Sequence, residues 1–237
     1  MYFKDYTPQD LSEIVFADEG DKKFINNIVD GRYPFPASGK NGILLYGVNG
    51  TGKSALAKLL PDAIEKVKSG TTACATFDRI EEGNNGAKVM ARLRKQAEFV
   101  PWASHHYFIL DEVDNLKGPS MSSLKSVMNI SETIFIMTTN RFTEIENGVI
   151  DRCHCIPFNA ATSVKWLPLA NRILMDNGIN KVSDESIIRV IDTCRGSARN
   201  IVDCITRIVV ELQTSTGLQT YDAAGDAVHD SSSARKL

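Results

Sequence analysis

Eight consecutive residues constrain this 237-residue chain more than any others: Gly47-Val48-Asn49-Gly50-Thr51-Gly52-Lys53-Ser54. They satisfy the P-loop pattern G-x-x-x-x-G-K-S/T in full, with an apolar run (42–46, GILLY) before them and a helical pattern (55–68) after them. Glycines let the backbone wrap closely around phosphates, so that successive N–H groups and the N-terminus of the next helix face the anion. The pattern predicts a phosphate cradle from Gly47, Val48, Asn49, Gly50, Thr51, Gly52, Lys53, Ser54 and Ala55. Lys53 is expected to set its ammonium on the β and γ phosphates, and the Ser54 hydroxyl to join a Mg²⁺ shell. A chance glycine-rich turn has no reason to sit between a strand and a helix.

A second signal completes the first. Tyr107-Phe108-Ile109-Leu110 is a buried-strand run that delivers Asp111 and Glu112 at its C-terminal end, where open α/β sheets bind ligands. Asp111 suits a Mg²⁺ ligand, and Glu112 suits a group that polarises water for attack on the γ-phosphate. Further strand runs at 71–77 and 133–138 alternate with helical patterns at 87–100 and 122–129, which predicts a parallel sheet sandwiched by helices. Beyond Pro157 the pattern is helical (163–177, 184–194, 198–213). The expected organisation is an ATPase core over 1–158, a small helical lid over 159–214, and a polar disordered tail over 215–237.

Composition narrows the setting. A net charge of −2 argues against a nucleic-acid coat protein, though not against a local basic patch. No run reaches the roughly 18 apolar residues of a membrane helix, and the N-terminus lacks a signal-peptide pattern. Five cysteines without a C-x-x-C pair fit neither a zinc site nor a disulfide framework, so a reducing cytoplasmic compartment and no membrane partner are expected. His105, His106 and His154 are expected in loop or strand positions rather than in a metal site.

With these residues in view, the chain resembles an AAA+ ATPase, and within that superfamily a clamp-loader subunit. Asp111-Glu112-Val113-Asp114 is similar to the loaders' acidic box. Thr133 to Asn140 (TIFIMTTN) looks like their sensor 1 strand, and Ile150-Asp151-Arg152-Cys153 resembles the motif carrying an arginine finger. Gly196-Ser197-Ala198-Arg199-Asn200 looks like the sensor 2 segment of the lid, and Tyr6-x-Pro8 with the following residues through Val15 and Phe16 resembles the box that wraps adenine. The resemblance runs from about residue 5 to residue 212, in the family's order. It implies ATP and Mg²⁺ as cofactors and an oligomer whose sites are shared. It also implies roles for Asn140 (γ-phosphate or water), Arg199 (nucleotide sensing) and Arg152 (completing a neighbour's site), with Arg141 as the alternative finger.

Two departures qualify it. Asp151 stands where the motif usually has serine, and no collar domain follows the lid within this sequence, which leaves clamp loading itself open. Lys88, Arg92, Arg94 and Lys95 on one predicted helix, with Lys117 and Lys125 after the acidic box, are candidate phosphate contacts for DNA or merely solvated charge. The connection 78–86 (DRIEEGNNG) lacks the aromatic pore loop of a threading unfoldase. The expected function is an ATP-hydrolysing, oligomeric, DNA-associated switch of clamp-loader type, working with a sliding clamp. The alternatives are a loader acting on a protein client such as a helicase, or a nucleotide-binding scaffold with little turnover.

Overall fold

The structure is a computed structural model that describes residues 4–82, 86–180 and 182–225, with the backbone alone over 215–225. It divides into two compact units between Lys165 and Trp166.

The first unit is built on a five-stranded parallel sheet: β1 (Gly42–Tyr46), β2 (Cys74–Arg79), β3 (His106–Asp111), β4 (Thr133–Thr139) and β5 (Cys153–Pro157). The spatial order is β2-β3-β4-β1-β5, which puts β1, β3 and β4 in the interior. These three strands read as continuous apolar runs because both faces are covered. On one face Leu44, Phe108, Leu110, Phe135 and Met137 pack with α3 (Gly86–Ala97) and α4 (Pro119–Val127), which supply Val89, Met90, Leu93, Met121, Leu124 and Val127. The alternate residues Ile43, Leu45, Tyr107, Ile109, Ile134 and Ile136 face α1 (Glu19–Val29) and α2 (Lys53–Lys68), through Ile25, Ile28, Leu56, Leu60 and Ile64. The short α5 (Asn147–Ile150) leads into β5.

The α/β sandwich agrees with the sequence reading, and the differences lie at its margins. β2 runs over Cys74–Arg79, displaced toward the C-terminus from the predicted 71–77. The strand β5 and the helix α1 carry only weak periodic signals. Asp18 starts α1 by accepting from the N–H groups of Gly20 (2.7 Å) and Asp21 (3.1 Å).

The second unit contains the remainder of α6 (Ser163–Asp176), then α7 (Asp184–Thr193) and α8 (Ala198–Gly225). Its buried apolar side chains include Trp166, Ala170, Ile173 and Leu174 on α6, Ile187 and Ile191 on α7, and Ile201, Ile205 and Val209 on α8. The Asn177 carbonyl at the end of α6 accepts from Gln213 Nε2 at 3.2 Å. α8 continues to Gly225, past residue 214, the expected start of a disordered tail. Once a helix is nucleated, each added residue contributes a backbone hydrogen bond, so a weakly helical sequence can extend it. Residues 226–237 of that expected tail lie outside the described residues, as do residues 83–85 of the 78–86 connection.

Candidate active site

The loop after β1 takes its shape from its glycines. Gly47 has φ 143°, and a Cβ there would stand 2.6 Å from the Phe158 carbonyl oxygen. The Gly47 N–H donates to the Thr139 carbonyl at 3.3 Å, and the Phe158 N–H donates to the Tyr46 carbonyl at 2.6 Å, so the loop leaves the sheet wedged between β4 and β5. Gly52, at φ 105°, caps α2 with no side-chain acceptor for the helix's first N–H groups. Buried Thr51 closes the turn by donating to the Val48 carbonyl at 3.1 Å. Val48 and Asn49 are exposed, while Gly50, Ser54 and Ala55 are half-buried.

Lys53 is buried, and its ammonium donates to the carbonyls of Gly47 (2.9 Å) and Val48 (2.6 Å). Burial pushes its pKa down, and the carboxylates of Asp111, Asp114 and Glu112 pull the other way. The lysine is thus held at the mouth of the loop, facing the acidic end of β3.

Asp111 and Glu112 leave β3 in opposite roles. Asp111 Oδ1 accepts from both the Ser54 and the Thr138 hydroxyls, each at 2.6 Å. The loop, β3 and β4 therefore meet at one carboxylate oxygen. Glu112 adopts a left-handed conformation (φ 60°, ψ 50°), unusual for a residue with a Cβ. Its N–H donates to Thr138 Oγ1 at 3.1 Å, and its carboxylate is held by Arg79 through Nη2–Oε1 at 2.7 Å and Nε–Oε2 at 3.3 Å.

The rest of the acidic box is tied to the end of β4. Thr139 Oγ1 donates to Asp114 Oδ1 at 2.9 Å, and Arg141 Nε donates to Asp114 Oδ2 at 2.8 Å. Burial alone would raise the Asp114 carboxyl, but the bonds from Arg141 and Thr139 outweigh it and hold the group below the usual carboxylate range. Arg141 also reaches Asn115 Oδ1 (3.0 Å) and Glu144 (3.1 Å). Asn140 follows β4 directly and is exposed.

Other expected site residues divide by edge. The register pairs Gly42 with Cys153, so Arg152 precedes β5 at the N-terminal edge of the sheet, away from the loop that follows β1. Of the N-terminal segment, Tyr6 and Phe16 are buried, and Pro8 and Val15 half-buried. The Phe16 ring meets Phe158 edge-on at 5.3 Å between centroids, so this segment and the Gly47 turn share one neighbour. Lys165 Nζ secures it by donating to the Phe16 carbonyl at 3.0 Å and pairing with Glu19 at 2.7 Å. Arg199 belongs to the second unit, exposed on the first turn of α8 after Ser197.

Several basic residues are already balanced within the chain. Lys117 pairs with Glu144 at 2.8 Å, Lys125 with Glu146 at 2.7 Å, and Arg92 with Asp78. Lys88, Arg94 and Lys95 stand exposed on α3. His106 opens β3, and His154 lies on β5 against the rings of Phe24 and Tyr33, each 5.3 Å away. Among the described residues no group of three or more His, Cys, Asp or Glu could hold a metal, and no helix is long and apolar enough to cross a membrane. Sequence reasoning missed Arg79. Its signal lies in strand pairing, because the β2–β3 register sets Arg79 opposite Asp111.

Comparison with known proteins agrees with this geometry. Residues 43–158 match the model of the AAA family, the ATPases associated with various cellular activities. The chain is 24% identical over 235 residues to DNA polymerase III subunit gamma/tau of Mycoplasma genitalium, covering 88% of this chain and 37% of that protein. It is 25% identical over 218 residues to Lon protease of Mycoplasma mobile, covering 77% and 26%. It is also 24% identical over 209 residues to probable replication factor C subunit 2 of Dictyostelium discoideum, covering 84% and 57%. Against the gamma/tau proteins, the chain spans only about a third of their length, 37% and 32%. Among solved structures, the Thermotoga maritima RuvB Holliday junction branch migration motor shares the fold, with a TM-score of 0.66 at 16% identity over 89% of this chain and 67% of that one.

Proposed function

We propose, for a chain whose residues 43–158 match the AAA family of ATPases, the binding and hydrolysis of ATP with Mg²⁺ by an oligomer that acts as a DNA-associated switch of clamp-loader type. One observation carries the reading: Ser54 and Thr138 converge on Asp111 Oδ1 at 2.6 Å each, beside Lys53 and Glu112, while Arg152 stands at the other edge of the sheet.

The residues fit the expected groups. Gly47, Gly50 and Gly52 make a turn whose first position admits no Cβ, which suits close approach of phosphates to backbone N–H groups. Ser54 Oγ and Asp111 Oδ1 form a hard oxygen pair suited to Mg²⁺, which when bound neutralises charge on the phosphate oxygens. Lys53 exchanges two carbonyl acceptors for phosphate oxygens. Glu112 takes the proton of the attacking water on its carboxylate, and Asn140 orients that water or the γ-phosphate. Tyr6, Pro8, Val15 and Phe16 line the adenine, and Arg199 keeps the nucleotide-sensing role that the resemblance implies.

Arg152 lies on the wrong edge to serve its own loop, which favours action on a neighbouring subunit. A guanidinium supplied in trans stabilises charge on the transferring phosphoryl group and makes turnover depend on assembly. Arg141 is the weaker candidate because the carboxylates of Asp114 and Glu144 already neutralise its charge. Mixing Arg152→Ala with Lys53→Ala subunits tests the shared site: recovered activity supports it, and none in an intact assembly rejects it.

A second reading has its own observation. Phe99, Val100 and Trp102 are 64%, 89% and 65% exposed on the loop between α3 and β3, which suits a protein client, whereas Lys117 and Lys125 are engaged by glutamates. Measuring the ATPase rate with and without primed DNA, beside the assembly mass in ATP, separates the two. Strong stimulation by DNA supports the loader, and indifference supports the protein client or a scaffold of little turnover.

A further inference from the structure

We infer that Asn129 is the positioning residue that aims Arg152, an inference that rests on the proposal that Arg152 acts in trans. A group that must enter a neighbour's site works only if it arrives already oriented, because ordering a long arginine side chain costs free energy at the moment it is used.

The backbone around Arg152 is over-determined. Its carbonyl accepts from two consecutive N–H groups, Asn41 at 3.1 Å and Gly42 at 2.9 Å, and its own N–H donates to the Val149 carbonyl at 3.1 Å. Lys40 Nζ binds the carbonyls on either side of it, those of Asp151 and Cys153, each at 2.8 Å. Gly42 permits this closeness, since a Cβ there would stand 2.5 Å from Cys153 Sγ and 3.2 Å from the Arg152 carbonyl oxygen.

The side chain is then held at two points. Nη1 donates to the Gly148 carbonyl at 2.7 Å, and Nε donates to Asn129 Oδ1 at 2.9 Å. Gly148 is in α5, while Asn129 is in the turn between α4 and β4, so the two anchors come from different elements and fix the guanidinium plane between them. Neither contact uses Nη2, the edge left to meet an anion. The turn bearing Asn129 is itself pinned, because Asn41 Nδ2 donates to the Met128 carbonyl at 2.8 Å. Among the described residues Asn129 is the one side-chain anchor, and Gly148 contributes backbone alone.

The test measures ATPase kinetics of the full-length chain at concentrations where its assembly is verified. Asn129→Leu keeps the size and removes the acceptor, and should lower kcat by about tenfold, the scale of one hydrogen bond to a charged group, with KM for ATP unchanged. Asn129→Asp keeps an acceptor oxygen and should recover most of that loss. In an Arg152→Ala background, Asn129→Leu should cost nothing further. An undiminished kcat in Asn129→Leu, or an equal loss with and without Arg152, overturns the positioning role. Full activity in Arg152→Ala alone instead overturns the trans reading beneath it.

Discussion

Arg79 and Glu112 form a two-point ion pair, Nη2–Oε1 at 2.7 Å and Nε–Oε2 at 3.3 Å, at the C-terminal edge of the sheet. If Glu112 takes the proton of the attacking water, as proposed, the guanidinium lowers its basicity and the pair is expected to open for turnover. Both partners are partly exposed, and the pair adds little to stability. Arg79→Ala should therefore leave the melting temperature nearly unchanged and raise basal ATP turnover severalfold. Glu112→Gln should bind ATP and turn over on the order of 10²-fold more slowly. A lower basal rate in Arg79→Ala would show that the pair supports catalysis instead of restraining it.

Lys53 combines function with a cost to the fold. Its pKa is pushed down mainly by burial, so the folded state penalises the charged form. Below the depressed folded pKa the lysine is charged in both states, and the penalty is fully present. It fades only as pH rises through the depressed folded pKa toward the unfolded one. Lys53→Met should melt no lower than wild type, yet lose the rise in melting temperature that ATP and Mg²⁺ give wild type. A retained nucleotide-dependent rise would remove Lys53 from phosphate binding.

Glu65 is a buried carboxylate of α2 with no part in the proposed chemistry. Burial would raise its pKa, but bonds from the Ser104 hydroxyl and N–H, the Ser69 hydroxyl and the Tyr107 hydroxyl outweigh it and bring the group down to about 2. A depressed folded pKa means stability present above the unfolded value, near 4.3, and lost as pH falls toward 2. The shift corresponds to about 3 kcal/mol at pH 7, roughly half of it gone at pH 3. Urea unfolding of wild type and Glu65→Gln at both pH values should show the gap between them narrowing in acid. An equal gap would mean that Glu65 matters through packing alone.

What the sequence made legible were features whose chemistry is local. The Gly47 to Ser54 loop and the Asp111-Glu112 pair each carry their own flanking strand or helix pattern, and the structure puts them at one sheet edge. Arg79 was illegible because its partner is fixed by the β2–β3 register, which pairs Arg79 with Asp111 and is encoded nowhere near either residue. β5 was missed because Cys153 to Pro157 contains a single β-branched residue and ends in proline, tolerable at the edge position it occupies. The charges of Lys117 and Lys125 were visible, but not the glutamates 27 and 21 residues later that engage them.

Those glutamates lead to a prediction about DNA. Lys117 and Lys125 are held by Glu144 and Glu146 at 2.8 and 2.7 Å, and neither can neutralise a phosphate without leaving its partner. The pairs are partly exposed and inexpensive to break, so replacing both carboxylates should cost the fold little. Each lysine freed to reach duplex phosphate releases a counterion, which steepens the slope of log Kobs against log salt by about 0.9. The double variant Glu144→Gln/Glu146→Gln should therefore bind duplex DNA more tightly at low salt, with a slope steeper by up to about 2. Titrations in ATP at several salt concentrations measure this. An unchanged slope would place these lysines outside any DNA contact and leave the exposed α3 cations, Lys88, Arg94 and Lys95, to carry one.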